Sequence, residues 1–373
     1  MADRRRTPAR AVLVHDWLTG MRGGERVLES IARVLPGAEL ITLVHRPGAV
    51  SRAIEDRRIR PSVIQRLPAP ARLYRHYLPL FPAAIEWFDL DDVDLVVSTS
   101  HCAAKAVVRP GRAVHVCYCH SPMRYGWDQF DAYFGEARLG RLGSAAARHV
   151  MARLARWDRA TVGRVDRFIA NSRHVAGRIA RYYNRGSSVL YPPVDTEFFT
   201  PGTAPAAGYF LVVSALVPYK HVDRAVGAAA RLRMPLKVVG TGPDDARLRA
   251  LGGEAVEFLG SVDPDALRDL YRGAIALVLP GEEDFGIVPV EAMACGRPVV
   301  ALGRGGATET VLDGVTGRLV GDAAIESFAA AMHEVAGAPV DSGAIRRHAE
   351  TFGRERFERA FAQVVAEAMA GRN

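Results

Sequence analysis

The sequence predicts two doubly wound α/β domains in tandem. Three observations carry this. Short apolar runs of strand length alternate with helical stretches. The alternation lapses at a stretch rich in Pro, Gly, Ala and Thr and then resumes. The 373 residues amount to about two domains of chain. The runs are continuous in apolar character, as expected of strands buried on both faces of a parallel sheet.

The elements follow in order. AVLVHDW (11–17) reads as a buried strand, followed by the turn TGMRGGE and a helix from about Glu25 to Val34. ELITLV (39–44), DLVVSTS (94–100) and AVHVCYC (113–119) are further strands, and 144–164 reads as a long helix. RFIANS (167–172) is a strand, a helix runs to about Tyr183, and SSVLYPPVD (187–195) follows. TEFFTPGTAPAAG (196–208) has no periodicity and reads as the linker. The rhythm restarts with strands YFLVVSAL (209–216), PLKVVG (235–240), VEFLG (256–260), AIALVLP (274–280), PVVAL (298–302) and GRLV (317–320). Helices at 222–232, 243–251, 264–273 and from about Val288 lie between them. Apolar residues at helical spacing (Phe357, Phe361, Val364, Val365, Met369) mark a last helix at about 352–370. The expected division is an N-terminal domain over 1–200, a second domain over 201–350, and a terminal helical segment at 351–373 packing back on the first. Ligands of open α/β sheets bind beyond the carboxyl ends of the strands, so two such domains predict a cleft between those ends.

With 49% apolar and 24% charged residues the composition is that of a globular chain, which excludes a mostly disordered one. Cys102, Cys117, Cys119 and Cys295 form no CxxC pair and read as buried reduced thiols, the pattern of a cytoplasmic protein. No run reaches the roughly 18 apolar residues of a membrane span, and the basic start MADRRRTPAR leads into a segment too short and polar for a signal peptide. The net charge of +8 is uneven: residues 1–200 hold 31 Lys+Arg against 19 Asp+Glu, and the remainder holds 18 against 22. Such a field suits a nucleic acid, an anionic bilayer or a diphosphate-bearing acceptor, and equally an arginine-rich solvated surface. Asp89-Leu-Asp91 and Asp92-Val-Asp94 have the Asp-x-Asp spacing of a metal site but read as a solvated acidic turn before a strand.

The segment with the most chemistry is PGEEDFGIVPVEAMACGRPVVALGRGGATETV (280–311). It follows a buried strand and opens a helix. Phe285, Gly286, Ile287 and Val288 can present consecutive amides at a helix N-terminus, a place for a diphosphate. Glu283 and Glu291, eight residues apart, are suited to hydrogen-bonding sugar or ribose hydroxyls. The alternative makes one a solvated loop acid and the other a helix N-terminal acid.

EEDFGIVPVEAMACGRPVVA resembles the Glu-x7-Glu signature of glycosyltransferase family 4, whose members have the GT-B fold of two Rossmann-like domains. HDWLTGMRGGERVLE (15–29), SHCAAKAVV (100–108), CYCHSPMRYGWD (117–128), FIANSRHVAGRI (168–179), VLYPPVDTEFF (189–199), VVSALVPYKHVDRAV (212–226), VVGTGPD (238–244) and GRGGATETV (303–311) are similar to it in family order. The branch most resembled includes bacterial mannosyltransferases of O-antigen and exopolysaccharide assembly. The resemblance implies the following roles. Lys220 neutralises the donor diphosphate. Glu283 holds sugar hydroxyls and Glu291 the ribose. Gly286 and Ile287 offer amides, Gly305 and Gly306 let the backbone approach the donor, and Gly23 and Gly24 close over the phosphates. His101 touches the transferred sugar near its anomeric carbon, with Lys220 and Glu283 as its catalytic companions, and His120 and Arg124 lie on the acceptor side. His15 and Asp16 are further candidates. Many members carry an arginine five residues before the lysine; here that position is Ala215, leaving Lys220 alone or assisted by amides or an arginine such as Arg124. Neither a metal nor another cofactor is expected, since Lys220 and helix N-termini would supply the charge.

Residues 52–88 set Arg52, Arg57, Arg58, Arg60, Arg66, Arg72 and Arg75 beside Tyr74, Tyr77, Leu78, Leu80, Phe81, Trp87 and Phe88. Cations beside aromatics suit an anionic membrane surface, and no nucleic-acid motif is present; burial of the aromatics is the alternative. The expected protein is a retaining hexosyltransferase, peripheral on the inner face of the plasma membrane. It would move mannose from GDP-mannose to a glycan or polyprenyl-diphosphate-linked glycan. The competing readings are a nucleotide-sugar epimerase of the same fold and a non-catalytic carbohydrate- or membrane-binding protein.

Overall fold

The computed structural model describes residues 10–128, 130–203 and 206–371. The basic start and two residues of the expected linker, Ala204 and Pro205, lie outside the described residues. The chain forms two compact units, Met1–Tyr191 with Phe357–Asn373, and Pro192–Arg356.

The first unit is built on a seven-stranded parallel sheet of order β3-β2-β1-β4-β5-β6-β7. Its strands are β1 (Ala11–His15), β2 (Glu39–Thr42), β3 (Ile59–Pro61), β4 (Leu95–Ser100), β5 (Val114–Cys119), β6 (Arg167–Ala170) and β7 (Ser188–Val189). β4 and β5 are buried at every position, which is why their sequences show no polar alternation. β7 is a two-residue edge, since Pro192 and Pro193 follow and cannot donate to a ladder. Alternate residues of the strands face two cores. Val12, Val14, Ile41 and Val96 meet Tyr74, Leu78, Phe81, Met151 and Leu154 on one side. Leu13, Leu40, Val97 and Tyr118 meet Leu28, Ile31, Phe357 and Phe361 on the other.

The second unit holds a six-stranded parallel sheet of order β10-β9-β8-β11-β12-β13. Its strands are β8 (Tyr209–Val213), β9 (Leu236–Val239), β10 (Val256–Gly260), β11 (Ala274–Leu279), β12 (Val299–Leu302) and β13 (Gly317–Val320). Helices Val222–Leu232 and Ile325–Gly337 bury Ala225, Val226, Ala229, Phe328 and Met332 against it.

Several expectations shift. The chain leaves the first unit after Tyr191, not at 200. Residues 194–199 are tied down within the second unit: Val194 N donates to Phe352 O at 3.0 Å, and the Arg346 guanidinium donates to the carbonyls of Thr196 (2.7 Å) and Phe199 (2.6 Å). The long helix starts earlier, at Glu136, breaks at Gly140 (φ 69°) and ends at Ala160. Much of the aromatic half of 52–88 is core: Tyr74, Leu78 and Phe81 are buried, and Arg57 turns inward to the carbonyls of Ala32, Leu35 and Ala38. Val63, Leu80 and Trp87 remain outside, Trp87 79% exposed. The last helix spans Arg354–Ala370 and delivers Phe357, Phe361 and Val365 to the core of the first unit. The four cysteines are free and buried. Among the described residues no helix is long and apolar enough to cross a membrane.

Candidate active site

In each sheet the strand order reverses direction at one place, and a crevice opens there beyond the carboxyl ends of the two central strands. In the first unit that place lies between β1 and β4, in the second between β8 and β11. Most of the residues singled out in the sequence cluster at these two places, each within its own unit.

In the first unit β1 ends at His15 and β4 at Ser100, so Asp16 faces the turn that begins with His101. The fully buried Asp16 carboxylate accepts four backbone N–H groups: His101 at 2.7 Å, Cys102 at 3.0 Å, Ala103 at 2.6 Å and Ala104 at 2.8 Å. It also takes His101 Nδ1 at 3.1 Å. A carboxylate only accepts, so a neutral His101 carries its proton on Nδ1 and leaves Nε2 a lone pair. Burial pulls the His101 pKa below its usual value, against the charge of Asp16 and with help from His15 and Arg124. The ring lies edge-on to Trp17, centroids 4.4 Å apart, and its side chain stays one-third exposed. His101 is therefore a neutral, oriented imidazole at pH 7.

Around it, His15 Nδ1 meets Thr99 Oγ1 at 2.6 Å and its Nε2 lies 3.7 Å from Glu25. Burial alone would raise the Glu25 pKa, but the neighbouring His15 outweighs it and holds it low. Glu25 also accepts Arg22 N at 3.0 Å and so caps the helix Gly23–Val34. Burial drives His120 down to about 3, and its buried Nε2 has no hydrogen-bond partner among the described residues. A Cβ on Gly24 would lie 3.5 Å from that nitrogen, so the glycine keeps the space beside it clear. Arg124 opens the short helix Arg124–Trp127. Below the cluster a buried pair holds the 101–106 turn in place: Lys105 Nζ meets Asp158 Oδ1 at 2.9 Å, and Tyr183 and Trp127 donate to the same carboxylate. Trp17, Glu25, Thr99, Lys105 and Asp158 had no role in the sequence reading. Except for Glu25, whose partners His15 and Arg22 are close in sequence, their partners are separated by tens of residues and no local signal marks them.

In the second unit the loops after β8 and β11 meet. Lys220, ending the turn Pro218–Lys220, forms an ion pair with Glu283. Gly281 lies against the 220 backbone, where a Cβ would come 2.7 Å from Lys220 O. The Glu283 backbone pairs with Gly305 as an isolated bridge, and Gly306 N donates to Glu283 O at 2.8 Å. At Gly305 a Cβ would fall 2.4 Å from Glu283 O, and at Gly306 2.3 Å from Phe285 Cα, so no side chain fits at either. Gly286, at φ +88°, precedes the helix Ile287–Ala294, whose first amide is that of Ile287. Lys220, Glu283, Gly305 and Gly306 thus come together, with Gly286 and Ile287 in the same loop. Glu291 has a different setting: it is 4% exposed and its Oε2 accepts the Tyr271 hydroxyl at 2.8 Å. Ala215 is exposed in the loop after β8.

Among the described residues no group of three or more His, Cys, Asp or Glu is placed to hold a metal ion. Asp92 and Asp94 of the Asp-x-Asp turn instead face Arg10 and Arg112.

Comparison with known proteins bears on both units. The family model described as Glycosyltransferase Family 4 matches residues 21–198, and the one described as Glycosyl transferases group 1 matches residues 194–350. A D-inositol 3-phosphate glycosyltransferase of Streptomyces bingchenggensis is 34% identical over 250 residues, 56% of this chain and 54% of that protein. Its counterpart in Geodermatophilus obscurus is 35% identical over 230 residues, 52% and 51% of the two chains. The chain spans about half the length of these curated relatives. Among solved structures, Anabaena HepE in complex with UDP gives a TM-score of 0.70 at 18% identity, covering 96% of this chain and 100% of that one. Sucrose-phosphate synthase of Thermosynechococcus elongatus gives 0.72 at 18% identity, covering 97% and 100%. These likenesses establish the GT-B fold. With one family model on each unit and the motifs at both crevices, the chain belongs to glycosyltransferase family 4.

Proposed function

We propose that this protein is a retaining glycosyltransferase that moves a hexose from a nucleoside-diphosphate sugar to a glycan or lipid-linked glycan. The observation that carries the reading is the Lys220–Glu283 pair at the crevice of the second sheet, pressed against the Gly305–Gly306 turn. Such a pair is a pre-formed clamp. With a donor bound, Glu283 turns to the sugar hydroxyls and Lys220 to the diphosphate. A cation there stabilises the charge that grows on the departing nucleotide. The amides of Gly286 and Ile287 add donors at the start of a helix, and Glu291 is assigned to the ribose on family resemblance. No side chain at either crevice is assigned as a nucleophile, so the reaction is a front-face displacement through an oxocarbenium-like state. The acceptor oxygen attacks the anomeric carbon on the face the phosphate leaves, and the leaving phosphate oxygen takes the acceptor proton. The neutral His101, with its Nε2 lone pair, accepts a hydrogen bond from a hydroxyl of the transferred sugar. On family resemblance, Gly23 and Gly24 are assigned to the donor phosphates, and His120 and Arg124 to the acceptor. The reaction needs no metal.

GDP-mannose is the proposed donor, on the resemblance to mannosyltransferases. A second reading concerns the acceptor: the relatives named D-inositol 3-phosphate glycosyltransferases favour a small phosphorylated acceptor over a polymer. A thermal-shift screen across GDP- and UDP-sugars tests the donor. A ligand at 100 times its Kd stabilises the native state by about 2.7 kcal/mol, so one base is expected to raise the melting temperature by several degrees. If no nucleotide binds, the non-catalytic reading takes over. Turnover of donor without acceptor would instead identify an epimerase.

Membrane association is part of the same proposal. Residues 57–85 carry six arginines and no Asp or Glu, and residues 137–157 carry five arginines and again no acid. Both stretches cover the same sheet face: Tyr74, Leu78 and Phe81 from the first and Met151 and Leu154 from the second share one core. Val63, Leu80 and Trp87 project from one, Leu139 and Leu142 from the other. Arg58 and Arg60 face Glu39 and Arg148 faces Asp131, but the stretches keep a net positive charge beside exposed apolar side chains, which supports docking on an anionic bilayer at the inner leaflet. Binding to vesicles containing phosphatidylserine is expected at low salt, weakened several-fold in Trp87→Ser and by added salt. Equal binding to neutral vesicles, or none to anionic ones, would end this part of the proposal.

A further inference from the structure

In the second unit the arithmetic of charge does not yet suffice for a diphosphate. Lys220 is matched by Glu283, so the crevice offers little net positive charge to a dianion. Many arginines of the unit are already committed to acids: Arg247 to Asp244 at 2.7 Å, Arg249 to Asp245 at 2.8 Å, Arg268 to Asp265 at 2.9 Å and Arg318 to Asp313 at 3.3 Å. Arg224 differs. It lies four residues after Lys220, in the first turn of the helix Val222–Leu232, and is half-buried. One guanidinium nitrogen donates to Pro280 O at 3.0 Å, the residue that opens the loop bearing Glu283. Among the described residues it has no carboxylate partner. Its charge is felt locally, since after burial it is the next cause holding the His221 pKa low.

We propose that Arg224 is the second cation on the donor diphosphate, doing from the following helix what Ala215 cannot do from the preceding loop. This rests on the reading of the second unit as a nucleotide-sugar site. A guanidinium has five N–H donors in a planar fork. One of them anchored on Pro280 fixes the plane at the carboxyl edge of β11 and leaves others for phosphate oxygens. The carbonyl anchor costs no charge, so the full positive charge stays available to the ligand. Arg304, exposed in the neighbouring loop before Gly305, is the comparison residue: it has no such anchor among the described residues.

Calorimetric titration of the full chain with GDP, UDP and the matching monophosphates tests this. The wild type is expected to bind one diphosphate at least about tenfold more tightly than its monophosphate, a difference of ~1.4 kcal/mol. Arg224→Gln keeps a donor for Pro280 O and removes the charge. It should lose most of that preference while monophosphate affinity and melting temperature stay near wild type, and Arg304→Gln should keep the preference. An unchanged preference in Arg224→Gln overturns the assignment. So does an equal loss for both nucleotides, or a collapse in Arg304→Gln alone. If the wild type binds no nucleotide at all, the reading of the second unit itself fails.

Discussion

Replacing Lys220 or Glu283 with alanine is expected to cripple sugar transfer, lowering kcat/KM by about a hundred- to a thousandfold, while the protein stays folded. The pair is half-buried, with side chains 15% and 21% exposed, so some loss of stability accompanies the larger loss of transfer. An exposed pair is worth about 0.2–1 kcal/mol and breaking a fully buried one costs about 3–5 kcal/mol, so this pair falls between and its loss lowers the melting temperature without unfolding the chain. A group aimed at charge that develops in the transition state contributes about 3–4 kcal/mol. The two variants should also differ from each other. Lys220→Ala should weaken binding of the free nucleoside diphosphate, whose charge it meets. Glu283→Ala should leave that binding nearly intact and fail in transfer, because its partner is the sugar. The double variant should lose little beyond the worse single one, since the residues act as a unit. Steady-state kinetics and nucleotide titration on the three proteins check this, and full activity in either single variant would refute the site assignment.

The second large effect is structural. Asp16→Ala is expected to destabilise the first unit by at least about 3 kcal/mol, since each buried donor left unsatisfied costs about 1–3 kcal/mol. The carboxylate satisfies four amides and orients His101, so its loss releases the whole 101–104 turn. Asp16→Asn should be almost as harmful, because one side of the amide would present hydrogens to amide hydrogens. In a domain of this size the loss corresponds to a drop of roughly 6–12 °C in melting temperature, and differential scanning calorimetry resolves that easily. A shift under 2 °C would mean that water replaces the carboxylate at little cost.

The sheets were readable because buried parallel strands announce themselves as short continuous apolar runs. VEFLG and GRLV coincide with β10 and β13, and the helices at 222–232 and 264–273 lie where the periodicity put them. The segment 52–88 stayed open between a membrane-facing surface and a buried one for an equally physical reason. It is made of short turns with Pro79 inside one of them, too brief for any period to build up, so the pattern could not decide which of Tyr74, Leu78 and Phe81 face inward. Helices Ile325–Gly337 and Ser342–Glu350 went unread. At the crevices, Glu283, Lys220 and the glycine turn could be named from the motif. That Glu283 and Gly305 form a backbone bridge could not, nor could the four amides on Asp16, which come from residues at least 85 positions away. The grouping of candidate side chains was legible where it is carried by contiguous sequence. The supports drawn from distant sequence were not.

The helix Arg354–Ala370 has a consequence for how the molecule is made. Its Phe357 packs on Tyr118, ring centroids 5.7 Å apart, and Phe361 stacks beside it. The first unit therefore lacks part of its own interior until more than 160 intervening residues have been synthesised. On the ribosome the early-born lobe must wait half-finished, its apolar flank open, while the later lobe emerges and folds. Chaperone dependence and sensitivity to pauses in translation should accordingly concentrate on the portion synthesised first.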